Sequence, residues 1–175
     1  MTSDTAGGRT VFLDDGRALV VRKSLPEDSA AVAALSAATS AYFLCGQQAG
    51  PATVCGCTGP CQERDPAVVA VLQDGTLVAA AWLHRDGDDP AAGTFRLSIQ
   101  PAFSRAGVAP VVLRELAEQA AQRGITRMRS WVGRSSHDPV SDCRGAGLTV
   151  LSAMSFGGVT EVVLGAPGVR EAALV

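Results

Sequence analysis

The sequence predicts one domain of the α/β or α+β class, a sheet with helices on its faces. Three observations lead there. The chain has 175 residues, the size of a single domain able to bury a real core. Hydrophobic residues make up 47% and charged residues 18%, which excludes both a disordered chain and a highly charged one. The hydrophobic pattern also switches repeatedly between a period of two and a period near 3.6, giving the order β-β-α-loop-β-β-β-α-β-α-β-β.

Each element has a local reason. Residues 1–9 are polar and glycine-containing and read as a disordered leader, so the domain is expected over 10–165, with 166–175 as a tail. In TVFLDDGRALVVRKS, Asp15-Gly16 between two apolar runs signals a hairpin. Pro26-Glu27-Asp28 then starts a helix, carried on by Ala31, Leu35 and Ala38 and ending near Ser40. Residues 41–66 read as a loop. Val68 to Leu72 and Leu77 to His84 form a second hairpin about Asp74-Gly75, and Asp86 to Pro90 form a loop. In GTFRLSIQ, Phe95, Leu97 and Ile99 alternate with polar residues, as in a strand with one covered face. Val108, Val112, Leu116 and Ala120 mark the longest helix, which closes on Gly124. TRMRSWVG is strand-like, SSHDPVSDCRGAG is a short helix, and TVLSAMSF and VTEVVLG are closing strands. Aromatic residues are only 5%, so Val, Leu and Ala must build the core.

Charge and composition exclude several functions. With 15 basic against 17 acidic residues and no run of either sign, the chain lacks the footprint of a nucleic-acid binder. No apolar run approaches the roughly 18 residues of a membrane span, and MTSDTAGGRT has no charged-then-apolar signal pattern. A cytoplasmic location is therefore expected, with a homodimer left open.

The stretch PAFSRAGVAP, between a strand and the longest helix, is the first candidate site. A helix N-terminus offers unpaired N–H groups and a partial positive charge, which together stabilise a phosphate. Gly107 has no Cβ to hold a ligand away, Ala109 keeps the next approach shallow, and Arg105 can add a charged contact. The alternative is a plain strand-to-helix turn.

Ser104-Arg105-Ala106-Gly107-Val108-Ala109, lying between strand GTFRLSIQ and that helix, resembles the pyrophosphate-binding pattern of the GCN5-related N-acetyltransferase superfamily. The Gly and the Ala of the pattern are present; its leading Gln or Arg is Ser104. AAQRGITRMRSWV is similar to the superfamily's passage from that helix into the next strand, and GAGL at Gly145 to Leu148 to its usual helix end. Val21 to Asp28 resembles, more narrowly, the opening of the bacterial protein-lysine acetyltransferase branch.

The resemblance implies a mixed, mainly antiparallel central sheet flanked by helices. It also implies acetyl-CoA or another acyl-CoA as co-substrate, held by Ser104 to Ala109, with backbone groups of Leu97, Ser98 and Ile99 on the pantetheine arm. The reaction implied is acetyl transfer to an amine, on a small molecule or a protein lysine. The alternatives are a non-catalytic acyl-CoA-binding or regulatory module, and a metal- or redox-sensing protein.

Acetyl transfer needs a base for the amine, donors for the developing oxyanion, and an acid for the leaving thiolate. The family's register puts Thr94 where the base glutamate is expected, and threonine cannot act as a base near neutral pH. It puts Cys143 at the tyrosine acid, and a thiol can donate a proton. His84 and His137 are the other groups that titrate in a useful range, with Asp86, Asp88 and Asp89 as nearby carboxylates or as a solvated turn. Cys143 and His84 are thus the candidate catalytic residues. Cys45, Cys55, Cys57 and Cys61 form C-x9-C-x-C-x3-C within 41–66, where four thiolates could close a tetrahedral zinc site, a pair could be redox-active, or all could stay unligated.

Overall fold

The computed structural model describes residues 7–38, 65–132 and 139–167. The four clustered cysteines and His137 lie outside these residues. The elements run β1 (Arg9–Phe12), β2 (Ala18–Lys23), α1 (Ser29–Ala38), β3 (Ala67–Leu72), β4 (Leu77–Arg85), β5 (Ala92–Ile99), α2 (Val108–Gln122), β6 (Arg127–Val132), α3 (Pro139–Gly145), β7 (Thr149–Phe156) and β8 (Val159–Gly165). Short 3-10 turns at Pro26–Asp28 and Pro101–Phe103 precede α1 and α2.

The eight strands form one sheet in the order β1-β2-β3-β4-β5-β6-β8-β7. Every neighbouring pair is antiparallel except β5 with β6. A parallel pair needs a crossover, which α2 supplies. The mixed, mainly antiparallel sheet flanked by helices is therefore the architecture of the chain.

Alternation along the strands gives the sheet two covered faces. On one, Phe95, Leu97 and Ile99 of β5 meet Val112, Leu113 and Leu116 of α2, all buried. On the other, Val32 and Leu35 of α1 pack on Val69, Ala80 and Trp82. Ala79, Ala80 and Ala81 let backbones of the central strands serve both layers without bulky side chains between. Phe95, fully buried, stands where the sheet's centre needs volume.

One buried ion pair fixes the passage from β2 into α1. Arg22 donates from Nη1 to Asp28 Oδ2 at 2.7 Å and from Nη2 to Oδ1 at 2.9 Å, while the Leu25 N–H donates to the same carboxylate at 2.8 Å. Both side chains are largely buried, at 16% and 11% exposure. The Arg22 hydrogen bond holds the Asp28 carboxyl below its ordinary range, burial opposes it, and the Leu25 N–H adds to the lowering. A carboxyl lowered in the folded state contributes stability above its unfolded value, near 3.9, and loses it as pH falls through the lower folded value. Asp28→Asn should therefore destabilise by about 2 kcal/mol at pH 7. In thermal unfolding followed across pH 2 to 7, that difference should hold above about pH 4 and shrink below it.

Candidate functional site

The groove between β5 and β6 is where the sheet opens. Their parallel pairing covers only Ala92↔Arg127, Gly93↔Met128 and Thr94↔Arg129, whereas β4 and β5 pair from Ala79↔Ile99 to Arg85↔Gly93. Beyond Thr94 the two strands carry no ladder to each other. The edge of β5 from Phe95 to Ile99, which includes Leu97, Ser98 and Ile99, thus faces β6 across a gap. At its vertex the Ser130 hydroxyl donates to the Phe95 carbonyl at 2.9 Å, closing the ladder with a side chain.

The candidate phosphate loop lies at the end of this edge. Ser104 donates to the Pro101 carbonyl at 2.9 Å and Arg105 is exposed. Gly107 is the N-cap of α2, with φ 75° and ψ 14° and no side-chain cap on the first-turn N–H groups. That left-handed conformation is easy only for glycine. A Cβ there would meet only Asp14 Oδ2, at 3.7 Å, so the loop's outer face is open. Val108 and Ala109 are buried and anchor the helix start. A cavity of about 450 Å³ borders the loop, lined by Ser104, Arg105 and Ala106 on one side and Asp14, Asp15 and Arg17 of the β1–β2 turn on the other.

The charges of that turn differ in how they are held. Asp15 accepts from Arg17 Nε at 2.7 Å and from the Arg17 N–H at 3.0 Å, and the side-chain bond foremost holds its carboxyl below the ordinary range. The Arg17 guanidinium also lies 4.0 Å from the Phe103 ring centroid, which ties the turn to the loop. Among the described residues the Asp14 side chain has no hydrogen-bonded or ionic partner.

The open N-cap, the uncapped first turn, the exposed guanidinium of Arg105 and the unladdered edge of β5 together fit a nucleotide pyrophosphate followed by an extended chain. Asp14 works against the anion.

The face of the sheet under α1 carries the remaining candidates. His84, Thr94 and Arg129 are successive cross-strand partners on β4, β5 and β6 and so form one row. Asp86 lies over the row: Thr94 Oγ1 donates to its Oδ1 at 3.4 Å and Arg129 Nη2 to its Oδ2 at 3.3 Å. His84 Nδ1 contacts Asp65 Oδ2 at 3.3 Å, with Asp65 8% exposed and His84 44%. Arg96, the next β5 residue on this face, stacks on Trp82 at 5.6 Å.

Gly93 permits this proximity. A Cβ there would stand 2.5 Å from Leu83 Cδ2 and 2.8 Å from the His84 carbonyl.

Cys143 is fully buried in the core on the α2 side, so the two candidate catalytic residues lie on opposite faces of the sheet. Two of the three loop aspartates are tied down: Asp86 as above, and Asp89 by an ion pair with Arg127 and a 3.0 Å bond from the Ala91 N–H. Asp65 was not singled out from sequence. Among the described residues no group of three or more His, Cys, Asp or Glu is placed to hold a metal ion, and no helix is long and apolar enough to cross a membrane. The C-x9-C-x-C-x3-C cluster falls outside them.

Residues 34–140 match the model of the acetyltransferase (GNAT) family, and the chain belongs to that family. Its members use acetyl-CoA. No curated protein matches the sequence. Among solved structures, the chain is similar to the GNAT domain of PAT from S. lividans, at 18% identity and a TM-score of 0.67, covering 90% of this chain and 96% of that one. It is also similar to yncA from Salmonella typhimurium, solved with its cofactor acetyl-CoA, at 16% identity and a TM-score of 0.60, covering 89% and 96%. A GCN5-related N-acetyltransferase from Kribbella flavida aligns at 18% identity and a TM-score of 0.57, over 84% and 96%.

Gly107→Ala places a side chain in open space but in a left-handed conformation, so its cost is conformational. Urea unfolding should show a loss of about 1–2 kcal/mol.

Proposed function

We propose that the protein is an acetyl-CoA-dependent N-acetyltransferase acting on an amine. One observation carries the reading: the open, left-handed N-cap at Gly107 stands at the end of the strand edge that β6 leaves unpaired. Ser104 to Ala109 hold the pyrophosphate, with the α2 N-terminus supplying the field and Arg105 a mobile charge. Backbone groups of Leu97, Ser98 and Ile99 receive the pantetheine arm, as a third strand would be received. Acetyl-CoA brings the activated thioester; the chain orients it and shields it from water between two strands.

The acceptor then approaches from the α1 face, where His84, Thr94 and Arg129 line the vertex. An amine on a small molecule or on a protein lysine fits this reading equally. Thr94, where the family places a base glutamate, favours a second reading, an acyl-CoA-binding module without catalysis.

Two measurements test the reading. Acetyl-CoA should raise the melting temperature, and Gly107→Glu should abolish the rise by filling the cradle and adding a carboxylate beside Asp14. Undiminished binding by that variant would remove the site assignment. CoA release that depends on added amine separates transfer from mere binding.

The unpaired carboxylate gives a further expectation. Asp14→Asn should tighten acetyl-CoA by up to about fivefold at low ionic strength, since one charge about 4 Å away in water is worth about 1 kcal/mol. Titration calorimetry should show the gain shrinking in 0.5 M salt.

A further inference from the structure

The vertex of the β5–β6 gap lacks a base at Thr94, yet a buried carboxylate and an imidazole meet one strand away. His84 is the direct cross-strand partner of Thr94 on the antiparallel β4–β5 ladder, so the two side chains stand on the same face about 5 Å apart at Cβ. Its Nδ1 lies 3.3 Å from Asp65 Oδ2. Asp65 is 8% exposed and, among the described residues, its side chain has no other donor, whereas the His84 ring is 44% exposed and its Nε2 has no hydrogen-bond partner among them. A carboxylate on Nδ1 fixes the ring's orientation and the tautomer whose proton sits on Nδ1. The lone pair of Nε2 then points away from Asp65.

We propose that Asp65 and His84 form a base dyad, in which Nε2 of His84 takes the proton of the acceptor amine at the mouth of the gap. The inference rests on the N-acetyltransferase reading. In the step, the amine nitrogen bonds the acetyl carbon and the carbon–sulfur bond breaks. The nitrogen's proton passes to Nε2, directly or through one water, and the bonding pair leaves on the CoA sulfur, which takes up a proton from solvent.

The nearer carboxylate is committed elsewhere. Both oxygens of Asp86 are taken, one by the Thr94 hydroxyl and the other by Arg129. It therefore positions Thr94 and joins β6 to the loop before β5. Among the described residues, the other charged groups on this face are Arg129 beside Thr94, Arg96 stacked on Trp82, the Arg127–Asp89 and Arg22–Asp28 ion pairs, and Glu161, the cross-strand partner of Trp131. The buried α1 residues against this face, Val32, Leu35 and Ser36, bring no charge.

The chain has two histidines, so both can be followed individually by NMR. In ¹⁵N-labelled protein, with His137→Gln to assign the signals, neutral His84 should carry its proton on Nδ1, and Asp65→Asn should shift the tautomer toward Nε2. A His84 ring protonated at Nε2 in the parent, or one unmoved by Asp65→Asn, overturns the dyad. Acetyl transfer is then read as CoA thiol release with a pool of lysine-containing peptides and with spermidine. Its rate should rise with pH through one ionisation. His84→Gln should lower it about 100-fold or more and flatten that limb at an unchanged melting temperature, with Asp65→Asn between the two.

Asp86→Asn should keep the limb. If His84→Gln keeps both rate and limb, or if Asp86→Asn removes the limb instead, the base is not His84. If the parent transfers acetyl to none of these amines, the acetyltransferase reading falls and the base assignment with it, whatever the tautomer.

Discussion

Buried backbone groups must be paired, and the parting of β5 from β6 after three residue pairs is the constraint around which this molecule is arranged. A sheet that closes on both sides of a gap has to supply partners at the vertex and leave the rest for something extended. Here Ser130 supplies the partner for Phe95, and α2 crosses over to bring β6 back in parallel. That crossover puts the helix N-terminus at the gap's open end. The left-handed turn at Gly107 and the groove are therefore two results of one topological choice.

The two sheet faces divide the work. The α2 side is mainly apolar, with Phe95, Leu97 and Cys143 buried in its core. The α1 side carries the polar row from His84 to Arg129.

Much of this was legible in the sequence. Asp15-Gly16 and Asp74-Gly75 announce their hairpins because the turns demand residues tolerant of positive φ, and period switching gives the element order. The strand-to-helix turn at Gly107 was legible for a similar reason: few residues tolerate its conformation. Strand order was not, because nothing local places β8 between β6 and β7. Nor was the contact of Asp65 with His84, which spans 19 residues, or that of Asp86 with Arg129, which spans 43. The aspartates after β4 have the composition of a solvated turn; long-range pairing with two β6 arginines makes Asp86 and Asp89 fasteners. Cys143 matched a motif register, but register along a helix does not say which layer the helix covers.

Gly93 has a consequence that outlasts any particular acceptor. With a backbone carbonyl and Leu83 standing where its Cβ would be, this position can gain no atoms without prising β4 from β5. The spacing between the imidazole and the groove is set by an empty place rather than by a contact. Side chains around the vertex are free to diversify, and with them the molecules that fit, while the ruler that spaces donor from acceptor stays the same length.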